Sequence, residues 1–162
     1  MKLNNVIAAI AALLLAASCS DRPDDLLFKD FFVCVQDENG STSSRVLASS
    51  NNLVMTYYFQ LVSEKRDTPL KVDFDIVVGD GLTEGVDYVL QRDIRSIEFE
   101  PGVYKKPFRI NFKSNAVDPS KDNTITIQIT KVSDSGVRIG YPGPNAKFSN
   151  HVIEKYNKPI KL

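Results

Sequence analysis

The side chains that could carry out chemistry in this chain are few and scattered. His151 is the single histidine, and a nucleophile-and-base pair would have to join it to Cys34. A general base must lie within hydrogen-bonding distance of its nucleophile, and no motif places these two residues together. Cys34 also lies in an apolar run, where a buried, inert thiol is the common case. We therefore predict that the two residues do not form a catalytic dyad.

Carboxylate pairs are the next candidates for acid and base catalysis. Asp73 and Asp75 share the outward face of a predicted strand, and Glu98 and Glu100 share that of a later one. Such spacing usually reflects solvation rather than catalysis. The cations that can neutralise the second pair across the following turn are Lys105, Lys106 and Arg109. Residues 79–81, Gly-Asp-Gly, lack the lysine of a phosphate-binding loop. The sequence predicts no enzyme, no catalytic residues, no cofactor and no metal site.

Tyrosines are the candidate ligand-binding residues, because sugar-binding faces use flat aromatic side chains and the chain has no tryptophan. Tyr104 and Tyr141 lie in predicted turns, outside any inward-facing period. Tyr58 lies opposite the core residues of its predicted strand. For Tyr141 the alternative is that it caps one end of the fold from its Gly-Tyr-Pro-Gly-Pro segment. We predict that a ligand contacts Tyr58, Tyr104 and Tyr141.

Short segments with alternating apolar and polar side chains predict the fold that positions these residues. They cover residues 26–35, 45–48, 53–62, 70–78, 96–100, 108–113, 123–132 and 150–156. Pro101 and Gly102 suit the two central positions of a type II turn. Because no helical period of useful length is present, the sequence predicts an all-β fold. We expect an immunoglobulin-like antiparallel sandwich of seven or eight strands, with a closed barrel as the alternative.

The N-terminal part of the chain has the pattern of an export signal. Lys2 precedes an apolar run at residues 6–17 that is too short to span a bilayer as a helix. Residues 15–19, LAASC, resemble the lipobox of bacterial lipoproteins, and this resemblance implies lipidation of the Cys19 thiol. The alternative is an ordinary signal peptide that leaves Cys19 as a free thiol. We predict a lipoprotein signal peptide over residues 1–18, a tether over 19–25 and a β-sandwich domain over 26–162.

Charge and cysteine content restrict the possible partners and the cellular location of the protein. Twenty basic and twenty acidic side chains balance, and no basic sequence cluster indicates a nucleic-acid partner. With Cys19 lipidated, Cys34 would have no partner for a disulfide. The acidic residues 20–25 resemble the signal with which Bacteroidetes-type lipoproteins reach the outer leaflet of the outer membrane. The alternative is a solvated linker. We predict a protein anchored by lipid to the outer membrane, at the cell surface.

A family resemblance lies in the middle of the chain. Residues 85–88 (GVDY), 97–102 (IEFEPG) and 108–112 (FRINF) resemble the Calx-beta type of sandwich domain. They are also similar to small Calx-beta-like or BACON-like sandwiches of Bacteroidetes surface lipoproteins, many of them encoded beside polysaccharide-uptake systems. Calcium-binding members carry a dense acidic run after the alternating strand. Residues 114–122 contain only two carboxylates, so the resemblance does not extend to calcium binding.

The resulting hypothesis is a lipid-anchored, non-enzymatic binding or accessory module of the cell envelope. Its expected partners are the membrane, through the N-terminal lipid, and a glycan or a partner protein of an uptake system. The alternative function is that of a structural or adhesive surface subunit, which would favour a long unpaired strand edge. A small hydrolase would require a pocket that unites His151 with a nucleophile.

Overall fold

The computed structural model describes residues 30–42, 45–50, 52–140 and 150–156. Within these residues the fold is all-β and contains no helix. Its ten strands are β1 (Phe32–Asp37), β2 (Arg45–Ala48), β3 (Leu53–Val62), β4 (Leu70–Val78), β5 (Tyr88–Leu90), β6 (Ser96–Phe99), β7 (Lys105–Phe112), β8 (Thr124–Val132), β9 (Arg138–Ile139) and β10 (Asn150–Tyr156).

The strands form two five-stranded sheets that pack on each other. Sheet A has the order β5-β7-β3-β1-β9, and sheet B has the order β2-β10-β8-β4-β6. Most neighbouring strands are antiparallel, but β1 pairs with β9 and β10 pairs with β2 in parallel. The predicted sandwich is therefore confirmed, with mixed rather than wholly antiparallel sheets. The immunoglobulin-like topology stays a prediction.

Two of the ten strands have no counterpart in the sequence-based prediction of seven or eight. β5 has three residues and β9 has two. Such lengths are too short to show an alternating pattern. Both strands lie at the edges of sheet A, where they pair with β7 and β1.

Alternation along the long strands builds the core between the sheets. The inward residues of β8, Ile125, Ile127 and Ile129, are buried as predicted. The ring of Phe59 on β3 lies 4.7 Å from the ring of Phe74 on β4, so the two sheets interlock through aromatic side chains. In β1 every residue from Phe32 to Val35 is buried, so this part of the strand does not alternate between buried and exposed residues.

Glycines set the geometry of two connections. Gly102 has a φ of +81°, and the Val103 N–H donates to the Glu100 carbonyl at 2.9 Å, which confirms the type II turn between β6 and β7. At Gly81 the segment before β8 approaches so closely that a Cβ would lie 2.1 Å from Asn123 Oδ1. Only glycine leaves room for the Gly81 N–H to donate to the Asp122 carbonyl.

The sheet edges are short. The edge strands β2, β5, β6 and β9 contain four, three, four and two residues. β5 covers β7 only at its C-terminal end, where the Gln91 N–H donates to the Arg109 carbonyl at 3.2 Å. Pro107 lies two residues before Arg109, so its backbone faces the same edge of β7, but proline has no N–H that could donate to a further strand. Short edges and an edge proline hinder pairing with a further strand.

Candidate ligand-binding surface

Cys34 and His151 lie on different sides of sheet A. Val33 and Val35 contribute to the core, so the alternate residue Cys34 points to the outer face of β1. His151 is fully buried, and its ring centroid lies 5.1 Å from that of the core residue Tyr57. Burial raises the pKa of the Cys34 thiol. A protonated thiol on the far side of the sheet cannot act as a nucleophile for this histidine.

The two carboxylate pairs are surface features. Asp73 and Asp75 lie on the outer face of sheet B, and Asp73 forms an ion pair with Lys71 at 3.2 Å. Glu100 pairs with Lys106 at 2.5 Å, and the hydrogen bond from Lys106 lowers the pKa of Glu100. Among the described residues there is no group of three or more His, Cys, Asp or Glu side chains that could hold a metal ion.

The structure separates the three predicted tyrosines. Tyr58 is half-buried on the outer face of sheet A, and Lys105 Nζ lies 4.0 Å from its ring centroid. Tyr104 is half-buried against the core, and its carbonyl accepts a hydrogen bond from the Leu61 N–H, so it extends β7 instead of standing in a turn. Tyr141 lies outside the described residues, as does Cys19. Tyr58 is therefore the predicted tyrosine on an outer sheet face.

The outer face of sheet A carries a row of cations along β7. Lys105 and Arg109 are exposed and alternate with the buried residues of the strand, and exposed Lys113 follows directly after it. At about 3.3 Å per residue, successive cations lie about 13 Å apart. Arg109 Nε donates to Thr56 Oγ1 at 3.4 Å. We call this surface, formed by Lys105, Arg109, Lys113, Thr56 and Tyr58, the cationic face.

The cationic face has no internal counter-charge. In sheet A the outward residues of the described strands include no carboxylate, because Asp37 of β1 pairs with Tyr57 and is buried. Among the residues that the structure describes, Lys105, Arg109 and Lys113 have no carboxylate within 4.0 Å. Lys105 and Arg109 are available to an external anion, whereas Lys113 Nζ donates to the Gly85 carbonyl at 2.5 Å and would have to release it to bind one.

The outer face of sheet B has both signs of charge. Its described outward charged residues are Lys71, Asp73, Asp75, Glu98, Lys131 and Glu154. Lys71 lies opposite Glu98 on β6, and Lys131 lies opposite Asp73 on β4. Because opposite charges face each other across neighbouring strands, this surface neutralises much of its own field.

A groove of about 410 Å³ opens beside the cationic face, between β6 of sheet B and β7 of sheet A. Its lining residues include the apolar side chains of Ile94, Ile97, Pro107 and Phe108, the cations Arg92, Lys106 and Arg109, and the carboxylates Glu98 and Glu100. Tyr58 and Tyr104 do not line it. We call it the edge groove. Arg109 belongs to both surfaces, so the edge groove and the cationic face are continuous.

A buried polar cluster joins the loop before β5 to the ends of β7 and β10. Lys155 is 1% exposed, and its Nζ lies 3.4 Å from Asp87 Oδ1 and 3.2 Å from the Lys113 carbonyl. The Thr83 N–H donates to Asp87 Oδ2 at 2.9 Å, and the Asn115 amide donates to Oδ1 at 3.0 Å. Every partner is a protein group of the fold, so this cluster has a structural role.

Asp87 is ionised in this cluster. Burial by itself would raise the pKa of its carboxyl, but the hydrogen bonds from Thr83 and Asn115 and the charge of Lys155 together lower the pKa below its usual value. Asp87 is the acid of the GVDY segment on which the Calx-beta resemblance rests. In the structure, Asp87 neutralises the charge of the buried Lys155.

Sequence reasoning overlooked Lys155 and the cation row. The signal for Lys155 was its place two residues after Ile153, on the inward side of β10. The signal for the cation row was the alternation of Lys105, Arg109 and Lys113 with apolar residues. The net charge of zero gives only the sum of all charges and does not indicate that these cations lie together on one face.

In the described part of the chain, no helix has the length and apolar character needed to cross a membrane. No protein-family model matches the chain, and no curated protein matches it significantly.

Proposed function

We propose that this chain is a lipid-anchored, non-enzymatic binding module of the cell envelope that holds an anionic polysaccharide on its cationic face. The observation that carries the proposal is the cation row along β7, which has no carboxylate partner among the described residues. A linear polyanion can contact several such cations at once, and each contact adds electrostatic attraction.

Tyr58 and Lys105 add the chemistry that favours a sugar. A flat aromatic ring packs against the apolar C–H face of a sugar ring, and the neighbouring ammonium can bind an acidic substituent. Lys105 is exposed, so it can move from its position over the Tyr58 ring when a ligand binds. The two side chains therefore present a stacking surface and a cation at one place.

Anchoring at the cell surface is the second part of the proposal. It is supported by the LAASC segment ending at Cys19 and by the acidic residues behind it. Two or three acyl chains make dissociation from the membrane negligible, whereas one chain gives only marginal binding. The similarity to Calx-beta-like domains of Bacteroidetes surface lipoproteins supports the same setting and an association with polysaccharide uptake.

The alternative, a structural or adhesive subunit assembled by strand addition, has less support. Such assembly favours a long unpaired strand, whereas no described edge strand exceeds four residues. In the part of β7 that β5 does not cover, Pro107 has no N–H with which to pair a further strand. The enzyme hypothesis has less support because Cys34 and His151 point to different sides of sheet A.

The binding proposal is tested by affinity electrophoresis of the full-length protein in gels containing dextran sulfate, alginate or neutral dextran. We expect retardation by the two anionic polymers, which weakens as salt screens the charges. Replacing Lys105→Gln and Lys113→Gln together should abolish most of the retardation. The matched control replaces Lys71→Gln and Lys131→Gln on sheet B and should leave it unchanged. Equal losses in both variants would contradict the proposal.

The anchoring proposal is tested by mass spectrometry of the processed N-terminus. We expect Cys19 to be the first residue and to carry acyl chains, and Cys19→Ala to prevent both processing and membrane retention. A processed protein whose mass includes no lipid would contradict this part of the proposal without affecting the first.

A further inference from the structure

We infer that the edge groove binds the carboxylate of an acidic sugar residue, with Arg92 and Arg109 as the groups that hold it. This inference rests on the proposed function and deepens it, because it selects uronate-type glycans from the wider class of anionic polysaccharides. The cationic face alone attracts any polyanion, whereas the edge groove combines shape, apolar surface and guanidinium groups.

The size and position of the edge groove suit one sugar residue of a longer chain. Its volume of about 410 Å³ lies within the range of small-molecule sites, about 300–1,000 Å³. It opens where β7 extends beyond β5 and where β6 forms the edge of sheet B. A polysaccharide lying along the cationic face reaches this groove at Arg109, which lines the groove and contacts Thr56 of the face.

The charges of the groove leave two guanidinium groups without an acidic partner. Lys106 is paired with Glu100 at 2.5 Å, and both line the groove. Glu98 also lines it and lies opposite Lys71 on β4, whose ion pair is with Asp73. Within the described ranges, Arg92 and Arg109 have no carboxylate within 4.0 Å. With three cations and two carboxylates in its lining, the groove retains one net positive charge, which an incoming carboxylate can neutralise.

The residue types favour a carboxylated sugar. The planar fork of arginine matches a carboxylate in two parallel hydrogen bonds, a geometry that lysine cannot reproduce. Ile94 and Pro107 are accessible apolar side chains of the same groove, and they offer a surface for the C–H face of the sugar ring. Phe108 is buried beneath them, and its ring is fixed against Phe74 at 5.4 Å.

The test measures binding of the full-length protein to polygalacturonate, alginate and hyaluronate, with methyl-esterified polygalacturonate and dextran sulfate for comparison. We expect binding to at least one uronate polymer. Esterification of polygalacturonate removes the charge and should weaken any binding to that polymer at least tenfold. Arg92→Lys and Arg109→Lys keep the charge but lose the fork, so each should reduce uronate affinity about tenfold. Both should change dextran sulfate affinity less than twofold.

Arg95→Lys is the matched control. Arg95 lies in the same loop but is paired with Asp93 at 2.8 Å and does not line the groove. Its replacement should change uronate affinity less than twofold. Thermal unfolding of each variant shows whether the fold is retained.

Each outcome decides between the two proposals. If Arg92→Lys and Arg109→Lys bind uronates like the unmodified protein while loss of Lys105 and Lys113 abolishes binding, the inference is wrong and the proposed function stands. Equal losses for uronates and dextran sulfate would overturn the choice of carboxylate, as would binding of dextran sulfate alone. If no polyanion binds, both proposals fail.

Discussion

Lysine has opposite roles in the buried polar cluster and on the cationic face. Lys155 is enclosed, and its ammonium faces the Asp87 carboxylate and the Lys113 carbonyl. Lys105 is exposed, and its ammonium lies over the ring of Tyr58. A buried charge must find its partners within the fold, since leaving one unpaired costs several kcal/mol. An exposed charge faces no such demand and can serve a ligand. The surroundings of a lysine, rather than its residue type, decide whether it stabilises the fold or is available to a ligand.

The largest effect is expected from removing the acid of the buried cluster. Asp87→Ala leaves Lys155 buried without a counter-charge and should lower the free energy of unfolding by about 3–5 kcal/mol. Urea denaturation followed by circular dichroism measures this loss. The double variant Asp87→Asn with Lys155→Met removes both charges and should recover part of it. A loss below about 1 kcal/mol for Asp87→Ala would contradict the structural role of the pair.

The same pair predicts a pH dependence of stability. The folded-state pKa of Asp87 is lowered, so its contribution is fully present above the unfolded-state pKa of about 3.9 and is lost as the pH falls through the folded-state value. The unfolding free energy should therefore decrease below about pH 4. The double variant Asp87→Asn with Lys155→Met should decrease less over this window. Parallel curves would show that other carboxylates cause the decrease.

Charge reversal on the cationic face should impair binding and spare the fold. Lys105→Glu places a carboxylate in the cation row and should weaken polyanion binding at least tenfold, which is about 1.4 kcal/mol. Its free energy of unfolding should change by less than about 0.5 kcal/mol, because the side chain is exposed. Titration calorimetry and urea denaturation give the two values. Lys71→Glu, the control on sheet B, should leave the affinity nearly unchanged.

The smallest effect is expected at Tyr58. Tyr58→Leu removes the aromatic ring beside Lys105 and keeps an apolar side chain of similar bulk. Leucine cannot stack flat on a sugar ring, and the loss of such a stacking contact, about 0.5–1 kcal/mol, should lower affinity for alginate about two- to fivefold. Affinity electrophoresis over a series of alginate concentrations measures this change. An unchanged affinity would remove Tyr58 from the binding surface while leaving the cation row in place.

The sequence predicted the long elements of this fold because their patterns span many residues. The alternation of Ile125, Ile127 and Ile129 and the Pro101–Gly102 turn each follow from local sterics and burial, and the structure confirms both. β5 and β9 are set by the strands beside them instead. Their pairing with β7 and β1 depends on contacts distant in sequence, which a local pattern does not contain.

The candidate binding surface was harder to predict than the fold. The outward position of Tyr58 was predictable because alternation along β3 fixes which way its side chain points. Tyr104 was assigned to a turn because the Pro-Gly pair nearby obscured that β7 pairing begins at once. The edge groove is formed by residues of two different sheets and the loop between β5 and β6, so its side chains meet only after the sandwich closes.

The short sheet edges would have a consequence if the proposed lipid anchor confined the protein to a membrane at high density. Copies confined to a membrane plane collide far more often than copies in solution, and long open strands would then fuse into shared sheets. Here a sideways collision meets edge strands of two to four residues and a proline without a donor. Neighbouring molecules should therefore remain separate even when crowded.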